Sequence, residues 1–296
     1  MDILTVNGLE KSFGSKRVLK GIDLSVPEHS IFGFIGKNGA GKTTTMKAVL
    51  GLVRADGGEI YVSGEKVSFG QTATNRYVGY LPDVPGFYPF MTAREYLKLC
   101  GESFGMNKNE ITERSDELLS LVGLSDEKHR IKGFSRGMKQ RLGIAQALFA
   151  RPRLLICDEP TSALDPIGRK EILDLLLSVR NQTTVLFSTH ILTDVERICT
   201  DVALLNDGRI AMQGSVDELK KVRRTESFSV ETDDTSPLLE AFPSSKRGKD
   251  GELIFEGGDR EMYAVMDFIS QKRLSVRRIE RAEPTLEELF SEVVDK

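Results

Sequence analysis

Two stretches of the chain carry residue types that act on phosphates. The first is Gly36-Lys37-Asn38-Gly39-Ala40-Gly41-Lys42-Thr43-Thr44, which fits the pattern G-x-x-x-x-G-K-[ST]. Gly36, Gly39 and Gly41 let the backbone turn tightly, so that consecutive N–H groups can face one anion. Lys42 is placed to reach the β- and γ-phosphates of a nucleotide, and the Thr43 hydroxyl to bind Mg²⁺. The second stretch is Asp158-Glu159, which closes the apolar run Leu154-Leu155-Ile156-Cys157. One carboxylate at a strand end can hold Mg²⁺, directly or through water, while the next faces the γ-phosphate. Asp158 is assigned to the metal and Glu159 to polarising an attacking water. An acidic turn after a strand is common when it stands alone. Paired with the glycine loop, it supplies hydrolytic chemistry that the loop lacks.

Such residues need particular supports, and the sequence provides them. Ser30-Ile31-Phe32-Gly33-Phe34-Ile35 is short and apolar, as a buried parallel strand should be. After the loop, Met46, Val49 and Leu50 recur at helical spacing and Gly51 stops them. Strand, glycine loop and helix therefore follow in the order that phosphate binding requires. Before them, Ile3 to Val6 and Val18 to Val26 read as strands, with Lys11-Ser12-Phe13-Gly14-Ser15 as the turn between. From position alone, Phe13 in that turn is an ordinary core-edge aromatic. Gly58 to Val62 and Tyr77 to Leu81 read as further strands. From about Pro85 to Ala150 the texture is helical. Thr92-Ala93-Arg94-Glu95 has the capping-box form, and a helix is expected from about Asn109 to Val122. Strands return at Leu154, at Thr183 to Ser188 and at Val202 to Leu205. Asp165-Pro166 opens a helix between the first two of these. Asp207-Gly208 marks a hairpin turn into Arg209 to Met212, and Ser215-Val216-Asp217-Glu218 has the form of another capping box.

From about Thr225 the chain reads as a separate unit. Ser227 to Val230, Leu253 to Phe255 and Ser275 to Ile279 alternate like strands. Met262, Val265, Met266 and Ile269 repeat like a helix face, Pro243 to Gly248 reads as a surface loop, and Leu286 to Val294 as a closing helix. The basic run from Lys220 to Arg224 reads as a solvated helix end.

Bulk properties narrow the choice. The chain has 296 residues, 40% hydrophobic and 29% charged, with a net charge of −3, which gives no reason to expect nucleic acid as a partner. Cys100, Cys157 and Cys199 lack metal-ligand spacing and read as reduced thiols, Cys157 as a small core residue of its strand. The N-terminus lacks a basic segment followed by an apolar core, so it is not expected to be a secretion signal. No apolar run approaches the length of a membrane span, so any membrane part must come from another chain.

Phe134-Ser135-Arg136-Gly137-Met138-Lys139-Gln140-Arg141-Leu142 resembles the signature segment of ABC ATPases, whose usual form is Leu-Ser-Gly-Gly-Gln. Ser135 and Gly137 match, whereas Arg136 stands for a glycine and Met138 for the glutamine. The resemblance covers about residues 3 to 220. It implies a fold class of α/β: a P-loop NTPase of ABC ATPase type with a RecA-like core, an antiparallel β subdomain and a helical insertion. A small C-terminal α+β domain completes the chain. The expected boundaries are 1–222 for the nucleotide-binding domain, with the insertion at about 85–150, and 223–296 for the accessory domain. The resemblance further implies ATP and Mg²⁺ as cofactors, Phe13 stacked on adenine, and His190 in contact with the γ-phosphate. Ser162-Ala163-Leu164-Asp165 matches the family's segment linking two active sites. Ser135 and Gly137 would close on the ATP held by a second copy of the chain, giving a homodimer with ATP sandwiched at the interface. The catalytic set is therefore Lys42, Glu159 and His190, and the metal set Thr43, Asp158 and Asp83. Asp83 departs from the family, which usually has glutamine there.

Asp83 to Leu97, the Ser-Arg-Gly-Met-Lys-Gln signature and Glu283-Pro284-Thr285-Leu286-Glu287-Glu288-Leu289-Phe290 are similar to exporter ATPases of the bacitracin, lantibiotic and daunorubicin resistance kind. In these the ATPase is a separate chain paired with a polytopic membrane subunit. That implies a cytoplasmic protein held peripherally at the inner face of the cell membrane. An ABC ATPase acting on ribosomes or DNA is the alternative. Ribosome-acting members usually carry two ATPase domains and a charged linker, and DNA-repair members a long coiled coil; neither pattern is seen here. A kinase or GTPase is disfavoured by the signature segment and His190.

Overall fold

The chain begins with an antiparallel pair, β1 (Asp2–Phe13) and β2 (Lys16–Pro27). Next come β3 (Ile31–Ile35) and α1 (Lys42–Val49), then β4 (Gly57–Val62) and β5 (Glu65–Lys66). Four of these strands form one antiparallel sheet in the order β2-β1-β4-β5. β1 is longer than its apolar start predicts, because its register slips at several points, near Val6/Leu9 among them, and the strand continues past them. Phe13 is therefore the last residue of β1, and the turn is only Gly14-Ser15.

The second sheet carries the loop and the acids. After a short 3₁₀ turn over Ala73–Tyr77 come β6 (Val78–Leu81) and the helical insertion: α2 (Ala93–Ser103), α3 (Lys108–Leu121) and α4 (Arg136–Leu148). Then follow β7 (Leu154–Cys157), α5 (Pro166–Val179), β8 (Thr184–Thr189), α6 (Leu192–Ile198), β9 (Asp201–Asn206) and β10 (Arg209–Ser215). The sheet order is β10-β9-β3-β8-β7-β6, parallel except for the β9–β10 hairpin. β3, β7 and β8 are buried at every position, which explains the unbroken apolar runs of β3 and β7. Every parallel strand ends at the same edge, so the segments after β3, β6, β7 and β8 emerge together.

The caps expected at Thr92 and Asp165 form. Thr92 and Glu95 make a reciprocal capping box on α2, Asn107 and Glu110 another on α3, and Asp165 caps α5. Buried Arg114 of α3 satisfies the end of α4, donating to the carbonyls of Leu148 (2.5 Å) and Phe149 (3.3 Å).

The structure describes residues 1–70, 73–222, 227–248, 251–281, 286, 289 and 290. They fall into two compact units, Met1–Val216 and Asp217–Lys296, and α7 (Val216–Val222) lies at that division. The second unit holds β11 (Ser227–Thr232), α8 (Ser236–Ala241), β12 (Lys246–Arg247), β13 (Leu253–Glu256), α9 (Asp259–Lys272) and β14 (Val276–Arg281). Its antiparallel sheet runs β12-β13-β11-β14 over a core that includes Phe228, Phe255, Leu238, Val265 and Ile269. Two expectations are corrected. The segment 243–248 is not wholly loop, because Lys246–Arg247 pairs with β13. Met266 does not share the buried face of α9: it is 41% exposed, and Val265 and Ile269 do the packing. In the expected closing helix only Leu286, Leu289 and Phe290 are described; they are helical and buried. Its other residues, the motif residues Glu283, Pro284, Thr285, Glu287 and Glu288, and the basic pair Arg223-Arg224 lie outside the described residues.

β6 and α4 touch through backbone. A Cβ at Gly79 would lie 2.1 Å from the carbonyl oxygen of Ala147, so no side chain fits between strand and helix. Gly79→Ala must push α4 off the sheet edge that carries Asp83, at a cost of about 3 kcal/mol. Urea unfolding measures this, and a loss below about 0.5 kcal/mol would contradict the close packing.

Candidate active site

The loop is shaped by its neighbours. Gly36 follows β3 directly and donates its N–H to Thr189 of β8 at 3.3 Å. A Cβ on Gly36 would meet the Leu205 carbonyl oxygen at 2.6 Å. Gly41 has φ +115°, and a Cβ there would meet Leu19 of β2 at 2.6 Å, so the antiparallel sheet presses directly on the loop. α1 starts at Gly41 with no side-chain cap and no acid in its first turn. Its leading N–H groups and positive end are thus left for an external anion. Lys37, Asn38 and Gly39 are exposed, Ala40, Thr43 and Thr44 half-buried. Thr45 is internal, its hydroxyl donating to the Gly41 carbonyl at 3.0 Å.

Lys42 is 5% exposed, and its ammonium donates to the carbonyls of Gly36 (2.6 Å) and Lys37 (3.4 Å). Glu159 faces it, with Oε1 3.0 Å from Nζ. That contact is an ion pair and not a directed hydrogen bond, since Oε1 is buried and accepts none among the described residues. The other oxygen, Oε2, lies 3.0 Å from Nδ1 of His190. The Glu159 carboxylate is thus held between a cation and an imidazole beside the loop.

Ser188 of β8 fixes the acid pair. Its hydroxyl donates to Asp158 Oδ1 at 2.6 Å and accepts from the Glu159 N–H at 2.9 Å. Glu159 has φ +49°, uncommon for a residue with a side chain, and this turn separates the two carboxylates immediately after β7. A hydroxyl (Thr43) and carboxylates (Asp158, Asp83) make an oxygen donor set that fits Mg²⁺. Among the described residues no three His, Cys, Asp or Glu side chains are grouped to hold a metal unaided. Mg²⁺ bound with a nucleotide needs fewer, because phosphate oxygens supply the rest.

Asp83 lies just beyond β6. Burial pushes its carboxyl above the usual range; the neighbouring charge of Arg136 opposes this, while Asp158 and Glu159 reinforce it. Ser135 caps α4, accepting from the Met138 N–H at 3.2 Å. A Cβ on Gly137 would lie 4.0 Å from Leu164, so the signature turn adjoins the 162–165 segment of its own chain. Among the described residues no hydrogen bond or ion pair joins Ser135 or Gly137 to Lys42, Glu159 or His190. Phe13 is 52% exposed, with the Lys11 ammonium 5.3 Å from its ring centre.

Sequence reasoning missed three supporting residues. Ser188 is one. The others are Asp194 and Arg169: buried Asp194 accepts from Thr161 at 2.8 Å and from Arg169 at 2.5 Å. This network ties the segment after Glu159 to the helix after His190. The only available signal was an acid four residues beyond His190.

A phosphate loop, an acid pair ending the adjoining strand system and a histidine ending β8 define a P-loop nucleoside-triphosphate hydrolase. Comparison with known proteins narrows the class. Residues 19–162 match the ABC transporter family model, and residues 214–294 match the C-terminal domain of DrrA1-3-like ATP-binding proteins. The chain is 37% identical to the uncharacterised ABC transporter ATP-binding protein YxlF of Bacillus subtilis, across 99% of each chain. It is 40% identical to the bacitracin transport ATP-binding protein BcrA of Bacillus licheniformis, across 75% of this chain and 72% of that one. A solved ATP-binding subunit of an ABC transporter superposes with a TM-score of 0.66 at 31% identity, over 74% of this chain and 92% of the other. The chain belongs to the ATP-binding proteins of ABC transporters and is an ATP-hydrolysing transporter subunit.

The raised Asp83 carboxyl has a consequence for stability. A folded-state pKa above the unfolded value favours the folded protein at low pH, and that advantage is lost as pH rises through the carboxylate range. Asp83→Asn removes the titration, so its thermal midpoint should gain on that of the wild type between about pH 3 and pH 6. A difference that stays flat over that range contradicts the assignment.

Proposed function

We propose that this chain drives a bacterial ABC exporter as an ATP-sandwich homodimer bound to a separate polytopic membrane subunit at the cytoplasmic face of the cell membrane. The observation that carries the reading is Glu159, held between Lys42 and His190 beside the phosphate loop. ATP with Mg²⁺ supplies the phosphoanhydride and the cation that offsets its charge. Lys42 and the N–H groups from Gly36 to Thr44 bind the β- and γ-phosphates. Thr43 and Asp158 hold the metal, with Asp83 as a further carboxylate at that position. Glu159 orients water and takes its proton; His190 orients Glu159 and faces the γ-phosphate. Phe13 stacks on adenine. Ser135 and Gly137 serve the nucleotide of the second copy.

The domain reading follows the same logic: residues 1–222 as the ATPase, with the insertion at about 85–150, and residues 223–296 as an accessory unit. The division of the chain near Val216 supports it. Among the described residues no helix is long and apolar enough to cross a membrane. The insertion instead carries a groove of about 350 Å³ lined by Phe90, Met91, Glu95, Lys98, Leu99 and Glu102. Phe90, Tyr88 and Val84 are more than half exposed nearby in the chain. This is the surface we assign to the membrane subunit. The named relative transports bacitracin, which favours an amphiphilic peptide, drug or lipid-like cargo, selected by the membrane chain.

Glu159→Gln keeps the shape of the side chain and removes the base. Phosphate release should fall by about a hundredfold or more, and sedimentation should show an ATP-dependent dimer. A variant that stays monomeric with Mg²⁺ and ATP rules out the sandwich. Affinity purification of the tagged wild type from membranes should bring down a polytopic protein that stimulates its ATPase. Recovery with ribosomes alone would overturn the exporter reading.

A further inference from the structure

We propose that Arg136 is a positioning residue for Asp83: the two form a charge-compensating pair that allows a carboxylate to stand beside the phosphate site and ties it to the first turn of α4. The inference rests on the nucleotide site assigned above. Leu81 pairs with Cys157 across β6 and β7, and the Asp158 N–H donates to the Leu81 carbonyl at 2.8 Å. Asp83, Asp158 and Glu159 therefore leave neighbouring strand ends and crowd three negative charges together. Lys42 answers Glu159 with a full positive charge, whereas among the described residues Asp158 receives only the Ser188 hydroxyl. Asp83 is answered by the Arg136 guanidinium at 3.4 Å.

The tie to α4 has a second strand. Fully buried Gln140, one helical turn after Arg136, donates to the Asp83 carbonyl at 2.8 Å. Gly143 follows on the same face, where a Cβ would meet Leu81 at 2.5 Å and Pro85 at 3.2 Å. One stripe of α4 thus receives the segment from Leu81 to Pro85, and its first member carries the compensating charge. Arg136 and Asp83 are 53 residues apart in sequence and meet only through the fold. The two side chains are 43% and 46% exposed, and an ion pair that open adds little to folding stability. Its effect is on the local charge that a triphosphate meets.

A four-way comparison of nucleotide affinity tests the pair. Ribose-labelled fluorescent ATP is titrated into wild type, Asp83→Asn, Arg136→Gln and the double variant, in EDTA and in Mg²⁺, with Arg136→Lys as the conservative control and a thermal melt on each. Arg136→Gln exposes the carboxylate to the phosphates and should weaken binding about tenfold in EDTA, and less in Mg²⁺. Arg136→Lys should retain most of the affinity. In EDTA, Asp83→Asn should bind at least as tightly as wild type, and the double variant should bind like Asp83→Asn. A loss that persists in the double variant means that Arg136 acts on the phosphates directly and overturns the proposal. So does an Arg136→Gln affinity equal to wild type, or an Asp83→Asn affinity below it in EDTA. Wild type that fails to bind the probe refutes the site reading itself, and the pair with it.

Discussion

The site depends on one constraint, the shared direction of β6, β7, β8 and β3. Parallel strands in register must end at one edge, and each of these is followed by a residue assigned above to the proposed site. β3 delivers the loop, β6 Asp83, β7 Asp158 and Glu159, and β8 His190. No loop has to reach across the fold to assemble the catalytic groups. The register also explains the supports: Gly36 bonds to Thr189 and Glu159 to Ser188 because the ends of β3 and β7 lie on either side of β8. Ligand sites at the carboxyl ends of parallel strands are the general rule for such sheets.

Within that edge, Ser188 turns a sheet into a site. Its hydroxyl is fully buried and bridges one acid's carboxylate to the next acid's backbone. Glu159 can then hold φ +49° against the steric preference of a side-chain residue, with its carbonyl accepting from the Ser162 N–H at 3.0 Å. The turn sends Asp158 inward and Glu159 towards Lys42. Without it, adjacent residues of an extended strand would point to opposite faces of the sheet, and only one carboxylate could face the loop.

Much of this was legible in the chain because the signals were local. The loop, its strand and its helix lie within 25 contiguous positions, and the Asp158-Glu159 pair ends an apolar run that can be read directly. Caps at Thr92 and Asp165 were legible for the same reason. What the sequence hid was non-local or short. The Asp194 network joins residues 25 and 33 positions apart, and no spacing rule links them. β1 looked shorter than it is because its residues lose clean alternation where the register slips. α8, of six residues, and β12, of two, carry too few residues for a period to show. Met266 shares a helical spacing with buried residues, but it falls at the margin of the stripe and faces out.

In the proposed dimer, the contacts of α4 bear on how events at one nucleotide would reach the other. Its first turn, which carries Ser135 and Gly137, meets two segments of its own chain: Arg136 pairs with Asp83, and Gly137 lies near Leu164. The Gln140 bond and the backbone contact at Gly79 keep α4 from sliding freely along β6. Leu164 belongs to the segment that continues from Glu159, and Thr161 in the same stretch is anchored through Asp194 to the helix that follows His190. The signature turn thus neighbours Asp83 on one side and, through the 161–164 segment, the elements that carry Glu159 and His190 on the other. Coupling of this kind needs no long pathway, because packed contacts with few alternative arrangements carry it over one helix diameter. In a two-fold assembly the surface offered to the partner's phosphates and the carboxylates serving a subunit's own phosphates would then move as one body. In the proposed dimer, that would give hydrolysis at the two sites a physical reason to be linked.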